Sequence, residues 1–246
     1  MWFDLFGHPI FDAVRPWLGI ERSLTGLNAA AEAAGLATES GRAVRFVAPG
    51  VKRSAGYELQ VHESGRVETR PESLHDWFNA LCWLAFPGTK ARINAMHAAE
   101  IPGEGGRRGP LRDLLTIFDE GGAMVVCADD DLNRLVREFR WTDLFWRQRE
   151  RLRQHMRFVV LGHAALEQAL QPWPGITCKA IFARPDENWD EAAAAWLATA
   201  PPGASPRSLA PLPVFGYPGW MPDQDERFYA EERYFRERPG SASPAT

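Results

Sequence analysis

The stretch SLHDWFNALCWLAF, Ser73–Phe86, decides how the rest of the chain is read. On a 3.6-residue period its apolar side chains cover almost the whole circumference, and a helix that is apolar all round is one that a protein buries. Pro87-Gly88 ends it, and a second helix is expected from Thr89 to about Ala99. A glycine- and arginine-rich loop, Pro102 to Pro110, follows. In LRDLLTIFDEGGAMVVCA two apolar runs then flank Asp119-Glu120-Gly121-Gly122, which predicts a β-hairpin. Asp129 to Asp131 cap and charge a helix with the apolar face Leu132, Leu135, Val136 and Phe139. A further helix runs from about Thr142 to Arg153.

Arg157 to Leu161 reads as a buried strand, Gly162-His163 as a sharp junction, Ala164 to Leu170 as a helix and Thr177 to Ala183 as another strand. Asn188 and Glu191 form a capping box for a helix that turns Trp189, Ala193, Trp196 and Leu197 inward. Pro201 to Pro222 has seven prolines but also Leu212, Val214, Phe215, Tyr217 and Trp220, so it is expected to wrap the core and not to hang free. On the N-terminal side, Leu24 to Leu36 is an alanine-rich helix stopped by Gly35. Val44 to Ala48 is a strand, and Tyr57 to Gly65 is either a strand or a short helix. The predicted fold class is α+β: a single compact domain, mainly helical, with a small mixed sheet or hairpin and a proline-rich C-terminal wrap. Residues 1–237 form the globular part, and 238–246 form a small, polar, disordered tail.

The 246 residues are 45% apolar and 24% charged, the balance of a packed soluble protein. A net charge of −4 gives no reason to expect wholesale binding to nucleic acid or an anionic bilayer. Cys82, Cys127 and Cys178 are odd in number, far apart and set in apolar runs, which predicts buried thiols in a reducing compartment. The longest apolar run, Ala80 to Phe86, is far too short to span a bilayer, and Met1 to Phe6 lacks the basic start of a secretion signal. A cytoplasmic protein is expected. Lys52, Lys90 and Lys179 are the only lysines in an alanine- and arginine-rich chain, a composition that fits a GC-rich bacterial gene.

Several motifs occur in order: His75-Asp76-Trp77-Phe78-Asn79-Ala80-Leu81, Phe86-Pro87 with Thr89-Lys90 and Asn94, and Arg108-Gly109-Pro110-Leu111-Arg112-Asp113 with Thr116 and Phe118-Asp119-Glu120. Gly162-His163-Ala164, Leu212-Pro213-Val214, Pro218-Gly219-Trp220, Phe228-Tyr229 and Phe235-Arg236 complete the series. In these the chain resembles the bacterial domain of unknown function DUF3025. The resemblance implies a single domain over nearly the whole chain and brings no mechanism. Where it leads one to expect Asp-Glu-Asn-Gly, this chain has Asp119-Glu120-Gly121-Gly122, a pattern that suggests a turn with positive φ.

Polar residues on a greasy helix must face something polar. His75 and Asn79 lie one turn apart beside Asp76, although Ser73-x-x-Asp76 also reads as a helix cap. His163, at the end of a buried strand, stands where sheets place ligand-contacting groups. The expected site is one pocket bordered by the His75 helix, the Arg112–Asp113 segment and the Gly162-His163 junction. His75 or His163 is the acid/base group there, Asp113 or Asp76 its orienting carboxylate, and Arg112 the anion-holding group. Lys90, Asn94 and His97 fall at i, i+4, i+7 and are expected on a solvated outer face, the alternative being a polar stripe presented to an anion. Asn79, Lys90, Asn94, Arg108, Arg112 and Trp220 make up the ligand-binding set.

A divalent metal is conceivable on His75, His163, Asp119 and Glu120, but their spacing is not diagnostic and the cofactor is left unknown. The expected function is hydrolysis or group transfer on a small anionic ligand. The rival is a non-enzymatic nucleic-acid or acidic-partner binder that uses the eight arginines from Arg134 to Arg157, interleaved with Trp141, Phe145 and Trp146.

Overall fold

The computed structural model describes residues 6–50, 56–103, 108–201 and 203–237; the expected tail and the centre of the glycine-arginine loop lie outside them. Ser23 caps the first helix, Leu24–Ala33 (α1), its hydroxyl accepting from Gly26 N–H at 3.0 Å. A small parallel pair follows, Arg45–Val47 (β1) and Arg66–Glu68 (β2), joined across Tyr57–Ser64 (α2). The segment with two readings is therefore the helix, and it carries Tyr57 and Glu58 on its first turn.

Leu74–Ala85 (α3) buries Trp77, Phe78, Ala80, Leu81, Cys82, Trp83 and Leu84, the all-round burial its composition demands. Pro87 starts the next helix, Pro87–Glu100 (α4), at a position whose N–H would have no partner anyway.

The expected hairpin does not form. Pro110–Gly121 (α5) is helical and runs directly into Gly122–Cys127 (β3). Pro110 fits a first helical turn, and Leu111, Leu114, Leu115 and Phe118 follow at i, i+3, i+4, i+7, with the last three buried. That period outweighs the turn-like Asp119-Glu120-Gly121-Gly122, whose first three residues end the helix and whose fourth begins the strand. Gly122 has φ −71°, and Gly121 is not among the positive-φ glycines. The four residues thus project from a helix end beside a strand. Glycine at 122 is required for close approach, since a Cβ there would sit 2.2 Å from the Phe118 carbonyl oxygen.

Asp129 caps Asp130–Arg137 (α6) by accepting from Asp131 and Leu132 N–H. The following helical stretch is a π turn, Asp143–Arg147, succeeded by Arg149–His155 (α7). Met156–Val160 (β4), His163–Gln168 (α8), Thr177–Ala183 (β5), Trp189–Ala198 (α9), Ala210–Pro213 (β6) and Glu226–Tyr229 (α10) complete the order. The main sheet runs β4-β3-β5-β6, with β3 antiparallel to β4 and parallel to β5, and β6 antiparallel to β5. Pro211 and Pro213 cannot donate to the ladder, so Leu212 and Ala210 are the β6 residues that exchange bonds with Cys178 and Ala180.

Every residue of β3 is buried and its side chains alternate between two cores. Ala123, Val125 and Cys127 join Phe78, Leu81, Phe145 and Phe215, whereas Met124 and Val126 join Leu114, Phe118, Ile181 and Leu197. The proline-rich C-terminal segment wraps the first core and buries Val214, Phe215, Trp220, Tyr229 and Phe235. No helix of the described residues is long and apolar enough to cross a membrane.

Candidate functional site

A cavity of about 460 Å³ opens between α2, α3, α4, the last turns of α5 and the start of α8. His75, Asp76, Asn79, Lys90, Asn94, His97, Asp119 and His163 all contribute to its wall. Two junctions bring the far ends of this set together. The chain leaves α5 at Gly122 and leaves β4 at Gly162, and the Gly122 carbonyl accepts from both Leu161 N–H and Gly162 N–H at 2.9 Å. A Cβ on Gly162 would lie 2.5 Å from the Glu120 carbonyl oxygen, so only glycine lets Asp119 and His163 meet here.

The central feature is a chain of hydrogen bonds whose protons follow from the network. His163 Nδ1 lies 2.8 Å from the Asp119 carbonyl oxygen, which only accepts, so Nδ1 carries a proton. His163 Nε2 faces His75 Nε2 at 3.1 Å, and His75 Nδ1 faces Glu167 Oε2 at 3.0 Å. Two imidazole nitrogens at that distance attract only if one proton lies between them. A second proton lies between His75 Nδ1 and Glu167, so the carboxyl group holds the ring in place from behind. Burial, only partly opposed by the Asp119 carboxylate, pushes His163 down to about 4, so its neutral form is favoured. His163 is enclosed, whereas the side chains of His75 and Glu167 are 41% and 37% exposed at the rim.

Beside this chain Lys90 is buried, with 7% of its side chain exposed. Its ammonium donates to Asn79 Oδ1 at 2.7 Å and to Asp119 Oδ1, and it lies 5.7 Å from the centre of the Trp83 ring. Among the described residues two of its three donors are thus used, and the third is left for a ligand. Burial alone would raise the Asp119 carboxyl, but the Lys90 cation, which also donates to it, holds it below the usual range. Glu58 shifts the opposite way: burial, and then the Asp119 charge, raise it, although Asn94 donates to it at 3.2 Å. The cavity therefore contains one carboxylate kept ionised and one pushed toward its neutral form.

The sequence-predicted residues divide accordingly. His75, Asn79, Lys90, Asn94 and His163 come together. Asp76 lines the rim but is held by Arg70 through its backbone N–H and its guanidinium, at 2.8 to 3.0 Å, and does not orient His75. Asp113 is half exposed and pairs with Arg108 at 3.0 Å outside the cavity wall, and Arg108 also contacts Thr116. Arg112 stands behind the wall and donates to His97 Nδ1 at 3.1 Å. Burial and the Arg112 charge push His97 down to about 4. Trp220 is remote, packed against Phe158 and Tyr217 with its carbonyl accepting from His8.

The carboxylate that does orient His75, Glu167, was missed. It follows His163 by four residues on α8, a same-face spacing that could have revealed it. Glu58 was hidden by the undecided strand or helix reading of its segment. Among the described residues no group of three or more His, Cys, Asp or Glu side chains is arranged to hold a metal ion.

Half of the eight arginines of this stretch are neutralised by nearby aspartates. Arg134 pairs with Asp131 at 2.9 Å, Arg140 and Arg147 with Asp143, and Arg151 with Asp129 at 2.7 Å. Trp141 is buried and stacked on Phe145 instead of being offered to a base.

A family model described as a protein of unknown function (DUF3025) matches residues 44–239, a span that contains the whole cavity wall. No curated protein and no solved structure matches the chain.

Proposed function

The chain belongs to the DUF3025 family of proteins of unknown function, a membership that brings no reaction with it, and we propose from the cavity itself that the protein is an enzyme working by general acid–base catalysis. The observation that carries this reading is the Glu167–His75–His163–Asp119 chain, whose two facing imidazoles, one partly exposed and one enclosed, lie at the wall of a polar cavity. A water molecule or substrate hydroxyl that parts the two imidazoles meets His163 Nε2 as a base, because Nδ1 is committed to the Asp119 carbonyl. His75, backed by Glu167, returns the proton to the leaving group. The third Lys90 donor supports charge developing on a carbonyl or leaving oxygen. Hydrolysis or group transfer is the reaction class.

Glu58, Glu68, Asp76, Asp119 and Glu120 line the wall against Lys90 and Arg70. That balance favours an uncharged polar substrate over the small anion expected from Arg112, which does not reach the cavity. The buried free thiols of Cys82, Cys127 and Cys178 are in keeping with a reducing, cytoplasmic setting.

The test is turnover of a panel of uncharged chromogenic esters, amides and glycosides. The expected result is hydrolysis of at least one class, with kcat lowered roughly 10²- to 10⁴-fold in His163→Asn. Unchanged turnover in a folded His163→Asn protein overturns the proposal.

A further inference from the structure

Away from the cavity, a second groove, of about 670 Å³, opens along the edge of β5 where its pairing with β6 stops at Ala180. Three cations line it: Arg137 from the end of α6, Lys179 from β5 and Arg207 from the turn before β6. No carboxylate is among its lining residues. This sets the groove apart from Arg134, Arg140, Arg147 and Arg151, which are paired with Asp129, Asp131 or Asp143. In a chain of net charge −4, three cations on the wall of one groove at the sheet edge make a local positive field, and among the described residues none of the three has an ion-pair partner.

Three aromatic rings, Phe139, Phe182 and Trp196, complete the wall. The Arg137 guanidinium lies 3.8 Å from the centre of the Phe182 ring, a stack that fixes its plane and leaves its N–H edge free to fork onto a phosphate. Trp196 is half-buried against Phe118 and presents the rest of its indole to the groove. A ligand that uses all of this has phosphate oxygens and a flat ring, and the groove volume falls within the roughly 300–1,000 Å³ of small-molecule sites.

We propose that this groove binds the phosphate of a nucleotide on Arg137, Lys179 and Arg207, with the base against Trp196. The occupant is either a free nucleotide or one residue of a single strand, and the site is independent of the acid–base cavity.

The probes are a fluorescein-labelled oligothymidine of roughly a dozen nucleotides, followed by anisotropy, and ATP as competitor. If three phosphate contacts are made on a single strand, raising salt from about 50 to about 200 mM lowers oligonucleotide affinity about twentyfold. Lys179→Glu with Arg207→Glu, in a protein whose circular-dichroism melt matches the wild type, is expected to weaken binding at least about tenfold and flatten the salt dependence. Arg134→Ala, at an already paired arginine, should change neither. Displacement of the oligonucleotide by ATP, lost in the same double variant, identifies a free nucleotide as the occupant; oligonucleotide binding that ATP does not displace identifies a strand. Binding that survives the double variant, binding lost equally in Arg134→Ala, displacement by inorganic phosphate as effective as by ATP, or no binding of either probe overturns the proposal.

Discussion

Lys90 carries the heaviest electrostatic duty of any single residue. Its ammonium is enclosed and its chief partner, Asp119, is largely so. Removing one member of such a pair leaves an uncompensated charge, so Lys90→Met is expected to cost about 3–5 kcal/mol in urea denaturation. Lys90→Met combined with Asp119→Asn should cost clearly less than the two single changes added together, because the stranded charge is then gone. Additive costs would show that the pair is not coupled.

His163 and His97, both held near 4 against 6.5 for a free imidazole, set a pH window. Between those values the unfolded chain binds the protons that the folded one refuses, so stability rises with pH across the window and is lost as pH falls from 6.5 toward about 4. The two histidines together should make melting temperature drop steeply over that range. His97→Gln should flatten the drop, and a pH-independent melt would refute the assignment. Whereas Lys90, Asn94 and His97, whose spacing suggested a solvated face, are buried, the identities of His75, His163 and Asn79 were legible in the sequence as polar residues in apolar surroundings. Their partnership was not, because it depends on two helices meeting across 88 positions of chain between His75 and His163.

At the scale of elements, the lesson lies in α5. A turn-like tetrapeptide between apolar runs suggested a hairpin, yet the spacing of Leu111, Leu114, Leu115 and Phe118 was already helical. The consequence reaches the site: a hairpin tip would have carried Asp119 out to solvent, whereas a helix end carries it inward to Lys90. The contact between the end of α5 and the β4–α8 junction sets that geometry. A methyl at Gly162 would press on the backbone of Glu120 and Gly121, neither of which can turn aside as a side chain could. Gly162→Ala is therefore expected to cost about 1–3 kcal/mol and to impair turnover more than its loss of stability explains. Thermal melts paired with kinetics separate the two effects; full activity in this variant would mean that the junction does not set the site.

For the whole molecule, the α+β class and the single domain were readable from alternating helical and strand patterns, and the wrapping role of the proline-rich segment from its aromatic content. The division into two cores was not, since it depends on β3 lying at the centre of the sheet, a fact of pairing and not of composition. The wrap closes on Phe235, which is 2% exposed and meets Phe145, Phe228 and Tyr229 edge-on or tilted. Phe235→Ala is expected to lower stability by about 3–5 kcal/mol, measured by denaturant titration; a cost under about 1 kcal/mol would mean that the wrap closes without it.

The two prolines of β6 have a further effect. Because Ala210 and Leu212 face β5, the positions turned to the outer edge are Pro211 and Pro213, which have no N–H to offer. A second chain cannot be stitched onto that margin strand by strand, so the margin resists growth into aggregates even when the protein is crowded. Restoring donors with Pro211→Val and Pro213→Val should raise light scattering on concentration while leaving the acid–base cavity intact.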